Sequence, residues 1–481
     1  MKKLRLTNKI LDNLAEDFQE IVLKMFPLAD HITVESEFTH GLGVSRVFLI
    51  NYQLNDYDKQ AVVKFAPANR ITTEWQAYNT CMPPIRGITQ IKQEPVFSSN
   101  GLYGGLHLSL AGSSKYTVRS LYDYANSALV NDILSDVLED ELFNYLQIVW
   151  SKRKKRSRIS WLHSYGYLLP PYLHIVQTEP PSENAVNLIN PQNIATGVFN
   201  RGDFVSIQGM QINSKNETSL NLCFPNNRKT PYRIEFEPYD KLSSDYLPDA
   251  LLERVNGVII KTRYDVLIEH AEKALGSSLN LSDSNLEVSH TVLLPNPIKY
   301  VWDLLKGEFS GFIGCIHGDL NLENILIEYS GNDFMPYLID FDNTRQDHLL
   351  HDPLCLEAKI MTRLLPPLLA ESNESLEIIY SFYKNLHNHV VNKHPFNLSS
   401  NFSKPFKIID SIRKVARVNF ANKNDWNEYY HGLILYLVGA LKYASLDLAP
   451  TAPLPKQVAL CAAASMVQIL KESKNFGRTT N

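Results

Sequence analysis

One stretch constrains this chain more than any other: CIHGDLNLENILIEY at 315–329, followed by YLIDFDNT at 337–344. An apolar approach ends on His317-Gly318-Asp319. A second apolar run opens just after Asn324, and a third carries Asp340 at its exposed end. Alternating loop and strand in this way sets three oxygen donors, Asp319, Asn324 and Asp340, around one point. Polar residues at strand ends are ordinary turn formers when taken singly. Their joint spacing is not ordinary.

The arrangement suits phosphoryl transfer, which needs a carboxylate near an incoming hydroxyl and hard oxygen ligands for magnesium on nucleotide phosphates. Asp319 is the candidate hydroxyl-orienting base, and Asn324 and Asp340 are the candidate metal ligands. Asn324 follows Asp319 by five residues, the separation of base and metal-binding asparagine in an HRDxxxxN catalytic loop. Such a site makes demands upstream. It needs a strand lysine for the phosphates, a helix glutamate to hold that lysine, and a glycine turn to cover the nucleotide. AVVKFAP places Lys64 in a β run, and TTEWQAY places Glu74 in the next predicted helix. EFTHGLGVSRVFLI puts Gly41 and Gly43 in a turn between two strands. Four elements stand in the required order, each in the required local structure.

With HGD at 317–319 and IDFD at 339–342, the chain resembles the protein-kinase-like superfamily on its aminoglycoside and choline phosphotransferase side. YLIDFDNTRQDHLLHDPLCLEAKI further resembles a group of bacterial phosphotransferase-like domains from conflict and signalling systems. The resemblance covers residues 31 to 120 and 295 to 450. It implies an α+β, two-lobed fold with ATP in the cleft: a β-rich N-lobe, a mainly helical C-lobe and, outside the resemblance, an inserted small β domain. It carries over Asp319 as catalytic base, Asn324 and Asp340 as Mg²⁺ ligands, and Lys64 and Glu74 as the nucleotide clamp. Two departures stand out. Arg46 occupies the position of the third glycine in GxGxxG, which predicts a looser grip on phosphate. Gly318 replaces the arginine that, in HRD kinases, pairs with a phosphorylated activation loop. The interval from Asp340 to Asp352 is also too short for a substrate-docking loop of the protein-kinase sort.

The remaining chain is read for its organisation. A length of 481 residues predicts two or three domains. Residues 1–30 read as an amphipathic N-terminal helix, 31–112 as the β-rich lobe, and 113–184 as the first part of the helical lobe. Residues 185–276 read as an inserted β unit, a small barrel of the OB type, and 277–481 as the rest of the helical lobe with the catalytic and metal-binding loops. Ser109 to Gly112 is the expected hinge. Net charge is −4, so no global field draws the protein to nucleic acid or anionic lipid. The run KRKKRSR from Lys152 reads as a solvated face, with a basic patch as the alternative. The most apolar stretches, GLILYLVGAL and VALCAAASMVQIL, fall short of the roughly 20 residues of a membrane span. Five scattered cysteines without a CxxC pair predict buried thiols in a reducing compartment. A soluble, cytoplasmic protein is expected.

His317 reads as structural, Asp342 as either metal-assisting or turn-capping, and Asp352, ahead of Pro353, as a helix N-cap. The expected function is ATP- and Mg²⁺-dependent phosphoryl transfer to a hydroxyl of a small molecule or protein. The alternative is a kinase-like nucleotide-binding regulatory or scaffold module of a bacterial defence or signalling system. Expected partners are a nucleotide, the hydroxyl-bearing acceptor and a protein docked through the β insert. Nucleic acid is not expected.

Overall fold

The computed structural model describes residues 5–6, 16–38, 45–112, 117–126, 134–178, 184–188, 193–194, 197–225, 227–239, 246–289, 292–330, 333–372, 374–396 and 400–476. The chain divides into two compact units. One combines Met1–Lys154 with Ile313–Leu356, the other Lys155–Phe312 with Glu357–Asn481.

In the first unit six strands form a sheet in the order β1-β2-β3-β4-β6-β5. They are β1 (Arg5–Leu6), β2 (His31–Glu37), β3 (Arg46–Leu54), β4 (Tyr57–Pro67), β5 (Val96–Phe97) and β6 (Tyr103–Leu108). β3 and β4 meet at Asn55-Asp56, both with positive φ, the backbone of a tight two-residue hairpin. Strand periodicity then sorts the side chains of β4. Ala61, Val63 and Phe65 join Phe48 and Ile50 beneath helix α1 (Glu16–Met25), which contributes Phe18, Ile21, Val22 and Met25. Lys64 is turned to the opposite face. Ala66 on that face packs with Ile71 of helix α2 (Ala68–Cys81) and Leu106 of β6. The helix expected over residues 1–30 is, among the described residues, confined to Glu16–Met25. Arg5–Leu6 instead pairs in parallel with β2 at Thr33 and Val34. The next strand, β7 (Thr117–Ser120), pairs with a strand far along the chain.

The basic run expected as a solvated face lies largely on a strand, β8 (Lys154–Ser160), whose first five residues are exposed. Beyond it, β9 (Leu173–Gln177), β10 (Val186–Leu188), β11 (Phe204–Lys215), β12 (Leu220–Cys223), β13 (Ile234–Glu237) and β14 (Leu251–Thr262) build a second sheet. β11 pairs with both β12 and β14, β12 with β13, β13 with β9, and β9 with β14, so five strands close into a barrel. β10 lies outside the ring, parallel to β11. Gly209 sits in the left-handed region with φ 66°, and the register is the same on either side of it, from Gln208↔Arg254 to Met210↔Leu252. Val205, Ile207, Met210 and Ile212 all lie in the barrel core, so the buried positions of β11 change from odd to even numbers across Gly209. The barrel begins at Leu173, ahead of the expected boundary at 185. Its parallel strand β9 is separated from its neighbours by a proline-rich stretch, so strand alternation alone does not join them.

Helix α3 (Arg263–Leu275) follows β14 directly, opened by a Thr262–Asp265 capping box and closed by Gly276 in the left-handed region. The hairpin β15 (Asn285–Ser289) and β16 (Val292–Pro295) leads to α4 (Pro297–Leu304), capped by Asn296. β17 (Glu308–Ile316) carries the chain back into the first unit. There its end pairs with β20 (Arg345–His348), and β18 (Ile325–Ser330) pairs with both β19 (Asp333–Leu338) and β7. The loops expected to carry catalysis therefore group with the N-terminal sheet, not with the C-terminal helices. Residues 113–154 group with them, and the barrel shares the other unit with those helices. The domain division expected from the sequence differs on these points. Strand pairing over long separations overrides the composition shifts on which it rested.

Helices α5 (His351–Arg363), α6 (Glu377–Asn392), α7 (Ser403–Arg417), α8 (Asn427–Ala440) and α9 (Leu454–Phe476) complete the chain. α8 is buried nearly all round, which explains why its sequence is apolar on every face. Among the described residues, no helix is long and apolar enough to cross a membrane. The cysteine expectation needs correction: Cys81 and Cys315 form a disulfide, while Cys223, Cys355 and Cys461 are buried thiols. A separation of 234 residues hides the pairing from any spacing rule.

Candidate active site

The candidate site lies wholly within the first unit. Lys64 extends from β4 toward α2 and places Nζ 2.8 Å from Glu74 Oε2 and 2.7 Å from Asp340 Oδ1. The Lys64 and Glu74 side chains are 7% and 2% exposed, whereas Asp340 keeps 41% of its side chain open. One cation is thus shared between a buried carboxylate and an accessible one. Burial opposes the charge on Lys64, but Glu74, Asp340 and Asp342 outweigh it and hold the lysine above its ordinary pKa. Burial pushes Glu74 up to about 7, against the pull of Lys64. Burial also works against ionised Asp340, yet Lys64 beside it, with help from the Asp342 backbone N–H, leaves it below the usual range. Glu74 Oε1 has no hydrogen-bond partner among the described residues.

The loop after β17 is built by its own polar side chains. Asn321 Oδ1 accepts from the backbone N–H groups of Glu323 and Asn324 at 2.9 Å each. Asn324 Nδ2 donates to the Asp319 carbonyl at 3.0 Å and lies 3.4 Å from Asp319 Oδ2. The amide nitrogen is committed, and the amide oxygen remains as the hard donor. The Ile339 N–H donates to the Asn324 carbonyl, joining this loop to the one that carries Asp340. Asp340 itself takes φ 63°. An aspartate tolerates that region better than a β-branched residue does. Phe341 beside it packs on Tyr78 of α2 with ring centroids 5.2 Å apart.

Asp352 turns out to hold the His317-Gly318 turn. Its carboxylate is fully buried and accepts from the N–H groups of His317 at 3.0 Å and Gly318 at 2.9 Å, and from Trp150 Nε1 at 3.2 Å. The expected N-cap role misses these contacts, since all three partners are remote in sequence. Gly318 has φ 80°, and a Cβ there would strike the Asn343 carbonyl, so glycine is required where HRD loops carry arginine. His317, expected to be structural, is buried: its Nε2 lies 2.9 Å from the Ile339 carbonyl oxygen, and its ring packs on Phe341. Ser109 of the expected hinge bonds to Gln90 through both its N–H and its hydroxyl. Gly41 and Gly43 lie outside the described residues. Arg46, at the third-glycine position, makes a two-pronged pair with Glu37 at 2.7 Å on both arms, tying the start of β3 to the end of β2.

The structure therefore brings together Lys64, Glu74 and Asp340, and separately Asp319 with Asn324, with one backbone hydrogen bond linking the two loops. Among the described residues there is no cluster of three or more His, Cys, Asp or Glu to hold a metal ion. The model for the family described as ternary complex associated domain 9 matches residues 30–442. The chain belongs to that family. No curated protein matches it. Among solved structures, the family member is similar to a thermostable mutant of an aminoglycoside phosphotransferase in ternary complex with ADP and hygromycin B. Identity is 10%, coverage is 93% of this chain and 96% of that one, and the TM-score is 0.34. It is also similar to a microcompartment-associated aminopropanol kinase, at 12% identity, 94% and 97% coverage and a TM-score of 0.32. At such scores these likenesses carry no argument, and the functional reading rests on the site.

Proposed function

We propose that the protein is an ATP- and Mg²⁺-dependent phosphotransferase of the protein-kinase-like superfamily that transfers the γ-phosphoryl group to a hydroxyl. The observation that carries the reading is Lys64, held cationic in a buried place by Glu74 while also reaching the accessible Asp340. A lysine tethered in this way is positioned to meet nucleotide phosphates. Asn324 and Asp340 would hold magnesium. A carboxylate and an amide oxygen are the hard donors it prefers, with waters and phosphate oxygens filling the remaining places. When bound, the ion neutralises charge developing on the phosphates. Asp319 would orient the acceptor hydroxyl and take its proton. Asp352 braces the turn ahead of Asp319 through two hydrogen bonds and is itself anchored by Trp150. Gly41 and Gly43 would cover the phosphates, with the Arg46–Glu37 pair tying the strands on either side. The acceptor is a small molecule or a protein side chain, and the proposed setting is the cytoplasm.

A second reading is a nucleotide-binding scaffold, and the family's description as associated with a ternary complex favours it. The barrel would then present a surface to a protein partner. Both readings require nucleotide. Lys64→Ala removes a charge-assisted contact of about 1.5–3 kcal/mol, so Mg-ATP affinity should fall by at least about tenfold. Isothermal titration of both proteins measures this. Equal affinities would remove Lys64 from the site and with it the basis of the proposal.

A further inference from the structure

Cys81 is the last residue of α2, the helix that carries Glu74, and Cys315 is the next-to-last residue of β17, the strand that opens into His317-Gly318-Asp319. Their Cα atoms are 5.2 Å apart, within the range a disulfide spans. The bond therefore joins the two elements whose relation sets the clamp. Glu74 lies seven residues, about two helical turns, before Cys81. Near that end α2 is also fastened through Tyr78, by its ring on Phe341 and by a hydrogen bond with the Ile91 backbone.

We propose that Cys81 and Cys315 are a reversible thiol–disulfide site, served by a low-molecular-weight thiol and its disulfide, that governs the Lys64–Glu74 clamp; its effect on catalysis rests on the phosphotransferase reading. Three features single the pair out. Cys315 is half-buried, with its sulfur 4.0 Å from the Thr80 carbonyl oxygen in an exposed setting, whereas Cys81 is buried. A small thiol or disulfide thus reaches Cys315 first. The other three cysteines are buried, and burial raises the thiol of Cys223 to about 11 and that of Cys461 to about 12. Burial also shields all three, Cys355 included, from a small thiol or disulfide, which leaves this pair as the accessible exchange site. Finally, the bond lies beside the proposed site and not in a remote loop.

The exchange balances. The Cys315 thiolate attacks one sulfur of the small disulfide and expels one thiolate. The Cys81 thiolate then attacks Cys315 in the mixed disulfide and expels the second. Two electrons pass from the protein to the small disulfide, and the two protons released by the cysteines go to the two expelled thiolates. With the bond formed, the end of α2 is tied to β17 and Glu74 is held on Lys64. Reduction frees that end and lowers the fraction of molecules with the clamp assembled.

The test uses wild-type full-length protein equilibrated in glutathione buffers from oxidised to reduced, with Cys315→Ser beside it. Alkylation under denaturing conditions should block three thiols in the oxidised protein and five in the reduced one. Amide hydrogen exchange over residues 75–82 should be slower in the oxidised protein, and Mg-ATP should bind it at least about fivefold more tightly. Cys315→Ser should behave as the reduced protein in every buffer. Five blocked thiols under the most oxidising buffer would overturn the proposal. So would a disulfide that forms while α2 exchange stays the same in both states and Mg-ATP affinity changes less than about twofold. If neither state binds Mg-ATP but α2 exchange still follows the bond, the phosphotransferase reading fails and redox control of α2 stands.

Discussion

Asp352 accepts from three donors, the buried His317 N–H and Trp150 indole and the part-buried Gly318 N–H, and each buried donor left unpaired costs about 1–3 kcal/mol. Asp352→Leu should therefore destabilise the protein by at least about 2 kcal/mol, seen as a lower urea midpoint with an unchanged slope, while Asp352→Asn, which keeps an acceptor, loses less. A shift under about 1 kcal/mol for Asp352→Leu would mean that the His317-Gly318 turn holds itself. The contrast with Lys64 and Glu74 shows what is legible at this scale. Those two are readable because each sits in a local pattern, a strand lysine and a glutamate on the following helix, and the structure brings them within 2.8 Å. Asp352 also sits in a local pattern, Asp-Pro at a helix start, and the pattern misleads. Its true partners, Trp150 and Gly318, are assembled only by the tertiary fold.

Among the helices, Glu357 of α5 takes two hydrogen bonds from Arg413 of α7 at 3.0 and 2.7 Å and one from the Tyr429 hydroxyl of α8. Both side chains of the ion pair are fully buried, and the guanidinium faces the rings of Tyr383, Trp426, Tyr429 and Tyr430. Removing one partner strands a buried charge, so Glu357→Gln should cost about 3–5 kcal/mol, measured by equilibrium denaturation. Adding Arg413→Met should restore much of the loss, and no restoration would mean that the pair fixes helix packing by more than charge balance. His387 of α6 lies 2.7 Å from the Tyr430 hydroxyl, and burial, with Arg413 nearby, lowers it from 6.5 to about 4. Between those values the unfolded chain binds the extra proton, so stability is kept above the upper value and lost as pH falls toward the lower. Subtracting the pH profile of His387→Gln from that of wild type should expose a loss of roughly 3 kcal/mol or less across this window. Parallel profiles would contradict it. None of this network is legible in the sequence: helical spacing identifies these positions as core and does not say which polar ones meet.

For the whole chain, local alternation identifies most of the strands and the order of the candidate site residues, yet it misplaces the boundaries. β9 joins β13 across a proline-rich gap, and β7 joins β18 across two hundred residues of other structure. Composition cannot foresee either pairing, and these pairings decide which unit each stretch belongs to. The central claim is that one chain positions Lys64, Asn324 and Asp340 for Mg-ATP and Asp319 for the acceptor hydroxyl. Asp319→Asn keeps size and hydrogen bonding but removes the charge. The most direct measurement follows radiolabel from γ-labelled ATP into an acceptor, into the protein itself or into free phosphate, with Mg-ATP affinity titrated on the same samples. Asp319→Asn should bind Mg-ATP nearly as wild type does and transfer the label at least about a hundredfold more slowly. Label moving at the wild-type rate in that variant, or tight Mg-ATP binding with no transfer by wild type to any acceptor or to water, would contradict the phosphotransferase account.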